Sequence, residues 1–425
     1  MSKQNTLTPR LRAGVSVKSR SADYLRAQTE TIFLPKLTAT SDTPAPVPGR
    51  DLRLGFVGTF PPTKCGIATF TASLSKAMAG NGEVGIVSCV EKPDVLNHPD
   101  EVVAEWIRDD PASLEETANI LNTYDVAVIQ HEFGIFGGAD GQDVLALVDR
   151  LTVPFILVLH TVLPNPLPNQ RRILEELSRK AALLVAQSSV ARDRLLEVHD
   201  VAPEHVVVIQ HGAPANLGPQ KPPSATRRPV ILTWGLIGPG KGIEHAIDAV
   251  AQLADLDPLP QYVIMGQTHP KVVEHSGEAY RESLFVRVDA LGADKLVMFK
   301  DGYRDTEGIL AEVQQADIIL LPYLSREQVV SGVLVEAIAS GKPVVSTAFP
   351  HAVELLAEGS GIVVPHEDPD ALAAGLRLLL TNPDAAQAAA ETARRQAPTL
   401  FWENVGAEYA QVALQVVAPK LGASL

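Results

Sequence analysis

Two segments of the chain combine glycines, a predicted helix start and charged side chains in an arrangement that binds anions. The first is Gly-Leu-Ile-Gly-Pro-Gly-Lys-Gly-Ile-Glu at 235–244, which follows a predicted strand and opens a helical pattern. Glycines such as Gly240 let the backbone approach an anion, the first amides of a helix point at it, and Lys241 adds a positive charge suited to a diphosphate. We therefore predict a diphosphate site here. A solvated lysine beside a tight turn is the alternative.

The second segment, residues 326–346, contains a polar loop, a predicted helix start and a Gly-Lys-Pro turn that leads into a buried strand. Ser331 and Gly332 are expected to leave free backbone N–H groups where the helix dipole is positive, and Glu336 projects a carboxylate just over one turn later. Such a turn is suited to a charged nucleotide. An ordinary helix cap before a strand is the alternative.

Histidines end two of the predicted strands. His131 follows the strand at 126–130 within Gln-His-Glu-Phe-Gly, and His160 follows the strand at 155–159. Because the carboxyl ends of parallel strands meet at one edge of a sheet, we expect both side chains to share a pocket. His211 ends another strand, and we interpret it as part of an inter-domain turn.

Composition argues against several classes of protein. The 425-residue chain has a formal net charge of −14, which opposes general attraction to nucleic acid or anionic lipid. No apolar run reaches the ~18 residues of a membrane span and the N-terminus lacks a secretory signal, so we expect a cytoplasmic protein. His269, Glu274 and His275 lack the spacing of a zinc site and only two cysteines are present, so we expect no metal and no cofactor.

Two series of short apolar runs, separated by helical patterns, must position these groups. The predicted strands are 52–57, 84–90, 126–130, 155–159, 183–186 and 206–209 in the first series, and 230–233, 262–265, 296–299, 318–321, 344–345 and 362–364 in the second. Continuous Val/Ile/Leu runs are typical of parallel strands covered on both faces. We predict an α/β protein with two Rossmann-like doubly wound domains, whose ligand lies in the cleft between them.

Changes in composition set the predicted boundaries. Residues 1–50 are rich in Ser, Thr, Pro and basic residues, which predicts a disordered tail. The N-terminal domain is predicted at 51–225, the C-terminal domain at 226–398 and a closing helix at 399–425. A Pro-rich linker at 218–226 joins the domains.

The order and spacing of these loops, from about Leu52 to Val417, resemble the retaining GT-B glycosyltransferases of family 4, also called glycosyltransferase group 1. The resemblance implies that 51–225 binds the acceptor, that 226–398 binds the donor, and that 399–425 returns to the N-terminal domain. It also implies transfer of a hexosyl unit, with mannose or glucose favoured, from a nucleoside diphosphate sugar to a hydroxyl acceptor. That acceptor is a glycan, a small molecule or a lipid-linked group, and the front-face reaction needs no metal.

The resemblance further assigns roles to residues. The loop at 235–244 resembles the family's Gly-Arg-Leu-x-x-x-Lys-Gly, with Leu236 at the Arg position, so Arg304 or Arg326 would supply the second cation. The family's Glu-x7-Glu ends at Glu336, which would hold the ribose hydroxyls. Its first position falls on Gln328, or on Glu327 if the loop holds one extra residue.

The residues implied for the site fall into three groups. The catalytic group is His131, Lys241, Gln328 and Glu336; the donor-binding group is Gly66, Gly240, Lys241, Arg304, Arg326, Glu327, Ser331, Gly332, Val333 and Glu336; the sugar and acceptor pocket contains His131 and His160. His131 is expected to orient the sugar, and His160 to form the pocket wall. Gly66 lies in the loop at 58–70, which resembles the family's first glycine-rich loop.

Two alternatives stay open at the level of sequence. A nucleotide-sugar epimerase shares this architecture and would interconvert one nucleotide sugar without an acceptor. A catalytically weak nucleotide-sugar binding protein would bind the donor without transfer or hydrolysis. The second alternative is motivated by Leu236 and Gln328, which depart from the family pattern.

Overall fold

The computed structural model describes residues 52–93, 99–219, 227–302 and 304–421. The predicted tail at 1–50 and the stretch 220–226 of the predicted linker lie outside the described residues.

A seven-stranded sheet organises the first half of the described chain. Its strand order is β3-β2-β1-β4-β5-β6-β7, and every pair is parallel. The elements are β1 (Leu52–Gly58), α1 (Gly66–Met78), β2 (Gly82–Val90), β3 (Val102–Ile107), α2 (Pro111–Leu121), β4 (Val126–His131), α3 (Asp143–Val148), β5 (Phe155–Leu159), α4 (Pro168–Lys180), β6 (Leu183–Ala186), α5 (Ser189–Val198) and β7 (Val206–Val208).

A six-stranded sheet organises the second half. Its order is β10-β9-β8-β11-β12-β13, and its pairs are also all parallel. The elements are β8 (Val230–Trp234), α6 (Ile243–Ala251), β9 (Gln261–Met265), α7 (Pro270–Ser276), α8 (Ala279–Ala290), β10 (Val297–Lys300), α9 (Thr306–Gln315), β11 (Ile318–Leu321), α10 (Gly332–Ala339), β12 (Val344–Thr347), α11 (Pro350–Leu355), β13 (Gly361–Val364), α12 (Pro369–Thr381), α13 (Pro383–Gln396) and α14 (Trp402–Leu421).

Both sheets are covered on both faces, which explains their apolar strands. One hydrophobic cluster packs α2, α3 and α4 against the first sheet, and a second packs α1 and α14 against its other face. Two further clusters enclose the second sheet in the same way. The prediction of two doubly wound parallel sheets is confirmed.

The last helix packs on the first half of the chain. Val405 and Tyr409 of α14 are both fully buried in the cluster that contains Phe56 and Phe70. A Cβ atom at Gly406 would lie 2.7 Å from the Cβ of Ala77 in α1, so the glycine lets the two helices approach closely.

One strand is absent from the sequence prediction. β3 pairs with β2 at the edge of the first sheet. Glu105 interrupts its sequence, Val-Val-Ala-Glu-Trp-Ile, and Val103 is 47% exposed. An edge strand of this kind lacks the continuous apolar run that identified the other strands.

Candidate active site

A cavity of about 590 Å³ lies between the carboxyl ends of the two sheets. Both halves of the chain line it. The first half contributes Lys64, Cys65, Gly66, Ile67, Thr69, Phe70, Ser73, Glu132, His160, His211, Gly212 and Pro214; the second contributes Trp234, Gly235, Leu236, Lys241, Met265, Gly266, Gln267, His269, Gly302, Arg304, Thr306, Ile309, Leu310, Val330, Gly332, Val333, Glu336 and Trp402.

The loop after β8 carries Lys241 to this cavity. Gly240 and Gly242 have φ values of 92° and 64°, in the region that favours glycine. A Cβ atom at Gly242 would also lie 1.9 Å from the carbonyl oxygen of Pro322, so glycine is required there on two grounds. The Lys241 ammonium lies 4.2 Å from the centre of the Tyr323 ring. This cation–π contact holds a positive charge at the cavity wall.

Helix α10 points its N-terminus at the cavity. The Ser331 hydroxyl accepts a hydrogen bond from the Leu334 amide at 3.3 Å and caps the helix. The Ser331 amide is itself occupied, since it donates to His351 Nδ1 at 2.9 Å. The expectation of a free Ser331 amide is therefore corrected. Gly332 and Val333 line the cavity, and the first amides of a helix have no intrahelical acceptor.

Glu336 lies one turn into α10 and faces Trp234 at the end of β8. The Trp234 indole N–H donates to Glu336 Oε2 at 3.2 Å. Burial raises the pKa of Glu336 to about 7, although the hydrogen bond from Trp234 opposes that shift. Glu336 is thus poised between its charged and neutral forms near neutral pH.

Four histidines in and around the cavity have lowered pKa values. Burial holds the pKa of His131, His211 and His351 at about 4, and that of His160 at about 3, with His211 and His131 adding to the shift of His160. All four are neutral at pH 7. We call them the low-pKa histidines.

The two predicted pocket histidines lie in different surroundings. His160 lines the cavity, and its ring nitrogens are 2.8 Å from Gln130 Oε1 and 3.2 Å from Gln187 Nε2. The His131 side chain is 1% exposed and is not part of the cavity lining; its ring packs against Phe133 and Phe136. Phe133 and Phe136 belong to the loop that follows β4, so the His131 ring is buried against this loop.

Three other predicted residues lie outside the cavity lining. The exposed Arg326 pairs with Glu367 at 3.0 Å. The backbone carbonyl of Glu327 accepts from Arg194 at 2.6 Å, and the Gln328 side chain donates to the Val330 carbonyl at 2.9 Å. Neither candidate for the first carboxylate position is among the residues that line the cavity. Arg304 does line it, from an exposed position at the rim, as do Gly66 and Leu236, whereas Gly240 does not.

The loop before α10 is bonded to the first half of the chain. Ser188 donates from its hydroxyl to the Val329 carbonyl at 2.7 Å. The Glu354 carboxylate on α11 accepts from the Ser189 and Val190 amides at 2.8 and 2.9 Å, and so caps α5 across the two halves. With the bond from Arg194 to Glu327, these contacts join α5 to the loop at 327–329 and to α11.

Two protein-family models match the chain, one in each half. Glycosyl transferases group 1 match residues 217–396, and Glycosyltransferase Family 4 matches residues 65–216. Together the two matches span most of the chain. The chain belongs to this glycosyltransferase family.

Several relatives of this glycosyltransferase are known. It is 27% identical to a D-inositol 3-phosphate glycosyltransferase of Corynebacterium glutamicum over 301 residues, which are 65% of this chain and 70% of the relative. It is 27% identical to a glycogen synthase of Mycobacterium tuberculosis over 287 residues, 64% of this chain and 65% of the relative.

Solved structures share its fold. Anabaena HepE in complex with UDP and glucose superposes with a TM-score of 0.67 at 18% identity, covering 85% of this chain and 99% of HepE. Sucrose-phosphate synthase of Thermosynechococcus elongatus gives a TM-score of 0.66 at 19% identity, covering 87% of this chain and 100% of that one. The GT-B architecture of this glycosyltransferase is thereby shown.

Glu132, Trp234 and Trp402 line the cavity of this glycosyltransferase but were not predicted as site residues from the sequence. Glu132 directly follows His131, so the strand end that predicted a pocket also contained this carboxylate. Trp234 ends β8 immediately before the glycine loop, and Trp402 begins α14. The strand-end position was a usable signal for Glu132 and Trp234. The contact of Trp402 with Phe70, with ring centres 5.2 Å apart, depends on tertiary folding and left no local signal.

The described residues lack both a cluster of metal-binding side chains and a membrane-spanning helix. They contain no group of three or more His, Cys, Asp or Glu side chains that could hold a metal ion. Nor do they include a helix long and apolar enough to cross a membrane.

Proposed function

We propose that this glycosyltransferase moves a hexosyl unit from a nucleoside diphosphate sugar to a hydroxyl acceptor with retention of configuration and without a metal. The observation that carries the proposal is the convergence of Lys241, the amides of Gly332 and Val333, and Glu336 on one cavity. A cation and two helix-terminal amides suit a diphosphate, and a carboxylate one turn further along suits ribose hydroxyls.

The chemistry asked of these groups is mainly charge stabilisation. As the bond between the anomeric carbon and the diphosphate oxygen breaks, negative charge grows on the leaving diphosphate, where Lys241 and the start of α10 stabilise it. The acceptor oxygen bonds to the anomeric carbon on the same face. Its proton passes to an oxygen of the departing diphosphate. No protein carboxylate forms a covalent intermediate in this scheme.

The names of the relatives and of the solved structures suggest which substrates to test first. HepE has been solved with UDP-glucose, and two relatives are named for D-inositol 3-phosphate and glycogen. We therefore propose UDP-glucose as the first donor, GDP-mannose and ADP-glucose as alternatives, and D-inositol 3-phosphate and glycogen as acceptors.

The test is a transfer assay with each donor and acceptor, followed by NMR of the product's anomeric proton. Transfer with retained anomeric configuration is the expected result. Conversion of a nucleotide sugar into its epimer without an acceptor would contradict transfer and favour an epimerase. Donor binding by calorimetry with neither transfer nor donor hydrolysis would indicate a binding protein instead.

A further inference from the structure

Each half of the chain contributes one carboxylate to the cavity lining within the described residues. Glu336 comes from the second half, and Glu132 comes from the first. Glu132 follows β4, whose residues are all buried, so a rigid strand fixes its backbone. In the proposed function Glu336 holds the donor, whereas Glu132 has no part in that scheme.

The structure holds the Glu132 carboxylate in one orientation. The Phe133 amide donates to its Oε1 at 3.0 Å, and the Thr161 hydroxyl donates to its Oε2. Thr161 lies beyond the end of β5, the strand next to β4. The carboxylate is thus anchored by two adjacent strand ends, as a preorganised binding group requires.

The anchored carboxylate retains hydrogen-bonding capacity. Two carboxylate oxygens offer about four lone-pair sites, and the two protein donors occupy two of them. Glu132 forms no ion pair within the described residues. An ionised carboxylate accepts hydrogen bonds and repels phosphate, so its natural partner in the cavity is a hydroxyl group.

We propose that Glu132 binds hydroxyl groups of the acceptor and holds the attacking hydroxyl at the donor. This inference rests on the proposed transferase function and extends it to the acceptor side. The diphosphate is excluded as the partner by charge. Glu132 orients the acceptor by hydrogen bonding, while the proton still leaves to the diphosphate oxygen.

A hydroxyl of the donor sugar could also donate a hydrogen bond to Glu132, and steady-state kinetics distinguishes the donor sugar from the acceptor. The experiment compares Glu132→Gln with the wild-type chain, with UDP-glucose as donor and D-inositol 3-phosphate as acceptor probe. Because hydrogen bonds to charged groups contribute about 1.5–3 kcal/mol, we expect kcat/KM for the acceptor to fall about 10- to 100-fold. The affinity for UDP, measured by calorimetry, should stay within about twofold.

Thr161 provides a second pair of variants in case Glu132→Gln folds poorly. Thr161→Val removes the hydroxyl that donates to Glu132 Oε2 and should raise the acceptor KM. Thr161→Ser keeps a hydroxyl at this position and should have an acceptor KM close to that of the wild-type chain. Glu116→Gln, an exposed site on α2, is the matched control for loss of one carboxylate.

Two results would overturn the inference. One is an acceptor kcat/KM in folded Glu132→Gln equal to that of the wild-type chain. The other is a rise in the donor KM matching that in the acceptor KM, which would assign Glu132 to the donor sugar. Failure of the proposed function looks different, because the wild-type chain itself would then show no transfer.

Discussion

Replacing Lys241 with alanine tests the centre of the proposed donor site. The Lys241 ammonium is held at the cavity wall, 4.2 Å from the Tyr323 ring centre. A unit charge about 4 Å from a phosphate oxygen, at an effective dielectric constant of about 20, contributes about 4 kcal/mol. Because Lys241 is partly exposed and water screens it, we expect a loss of about 2–4 kcal/mol in transition-state binding. This corresponds to a fall of about 30- to 900-fold in kcat/KM for the donor.

The assay combines donor kcat/KM with UDP affinity and thermal unfolding. Loss of the contact with Tyr323 costs only about 0.5–1 kcal/mol, so the variant should remain folded. Lys295→Ala, at an exposed position in the same half of the chain, controls for the loss of one positive charge. Folded Lys241→Ala with a donor kcat/KM and UDP affinity within about twofold of wild type would refute the diphosphate role.

Substitutions, changes of pH and chelators each test this site in a defined way. Glu336→Gln should lower donor kcat/KM far more than Glu327→Gln, because only Glu336 lines the cavity; the reverse order would show that the loop presents Glu327 to the donor. His160→Ala should reduce turnover more than His131→Ala, which should mainly lower the melting temperature because its ring is buried away from the cavity; single-turnover transfer beside calorimetry checks this order. In the folded chain the pKa values of the low-pKa histidines lie below the ordinary 6.5, so between pH 6.5 and pH 4 the unfolded chain binds protons that the folded chain does not. Their contribution to the free energy of unfolding should therefore be complete above pH 6.5 and decrease as the pH falls towards 4. A melting temperature that stays constant over this range would contradict the prediction. Transfer should persist in excess EDTA, since Lys241 and the start of α10 supply positive potential; activity that vanishes and returns with Mg²⁺ would show a metal requirement.

The sequence was sufficient for the fold because parallel strands leave a strong signal. Buried strands such as β4 and β5 contain uninterrupted runs of four or more apolar residues, and the order of such runs with the helices predicts the two sheets. β3 lacked that signal because it is a partly exposed edge strand. Glycine positions were also readable, since the turn at Gly242 admits no side chain.

The sequence was a poorer guide to the direction in which individual side chains point. Lys241, Glu336 and His160 line the cavity as expected, whereas His131 ends the expected strand but is buried against Phe133 and Phe136 and does not line the cavity. Which face of a strand a terminal residue takes depends on register, and a shift of one residue reverses it. The sequence also did not predict that the Ser331 amide is hydrogen-bonded, because its acceptor, His351, lies on α11, beyond the next strand.

The hydrogen bonds between α5 and the loop at 327–329 limit how the halves of this enzyme can be exchanged with those of a relative. A chimera cut at the linker near 218–226 would place α5 against a foreign loop, leaving the Ser188 hydroxyl without Val329 and the α5 amides without Glu354. Helix α14 adds a second constraint, because it follows the second half in sequence but packs on α1. An exchange of the second half therefore needs two crossover points, with α14 kept from the parent of the first half and the contact surface of α5 transferred with its loop.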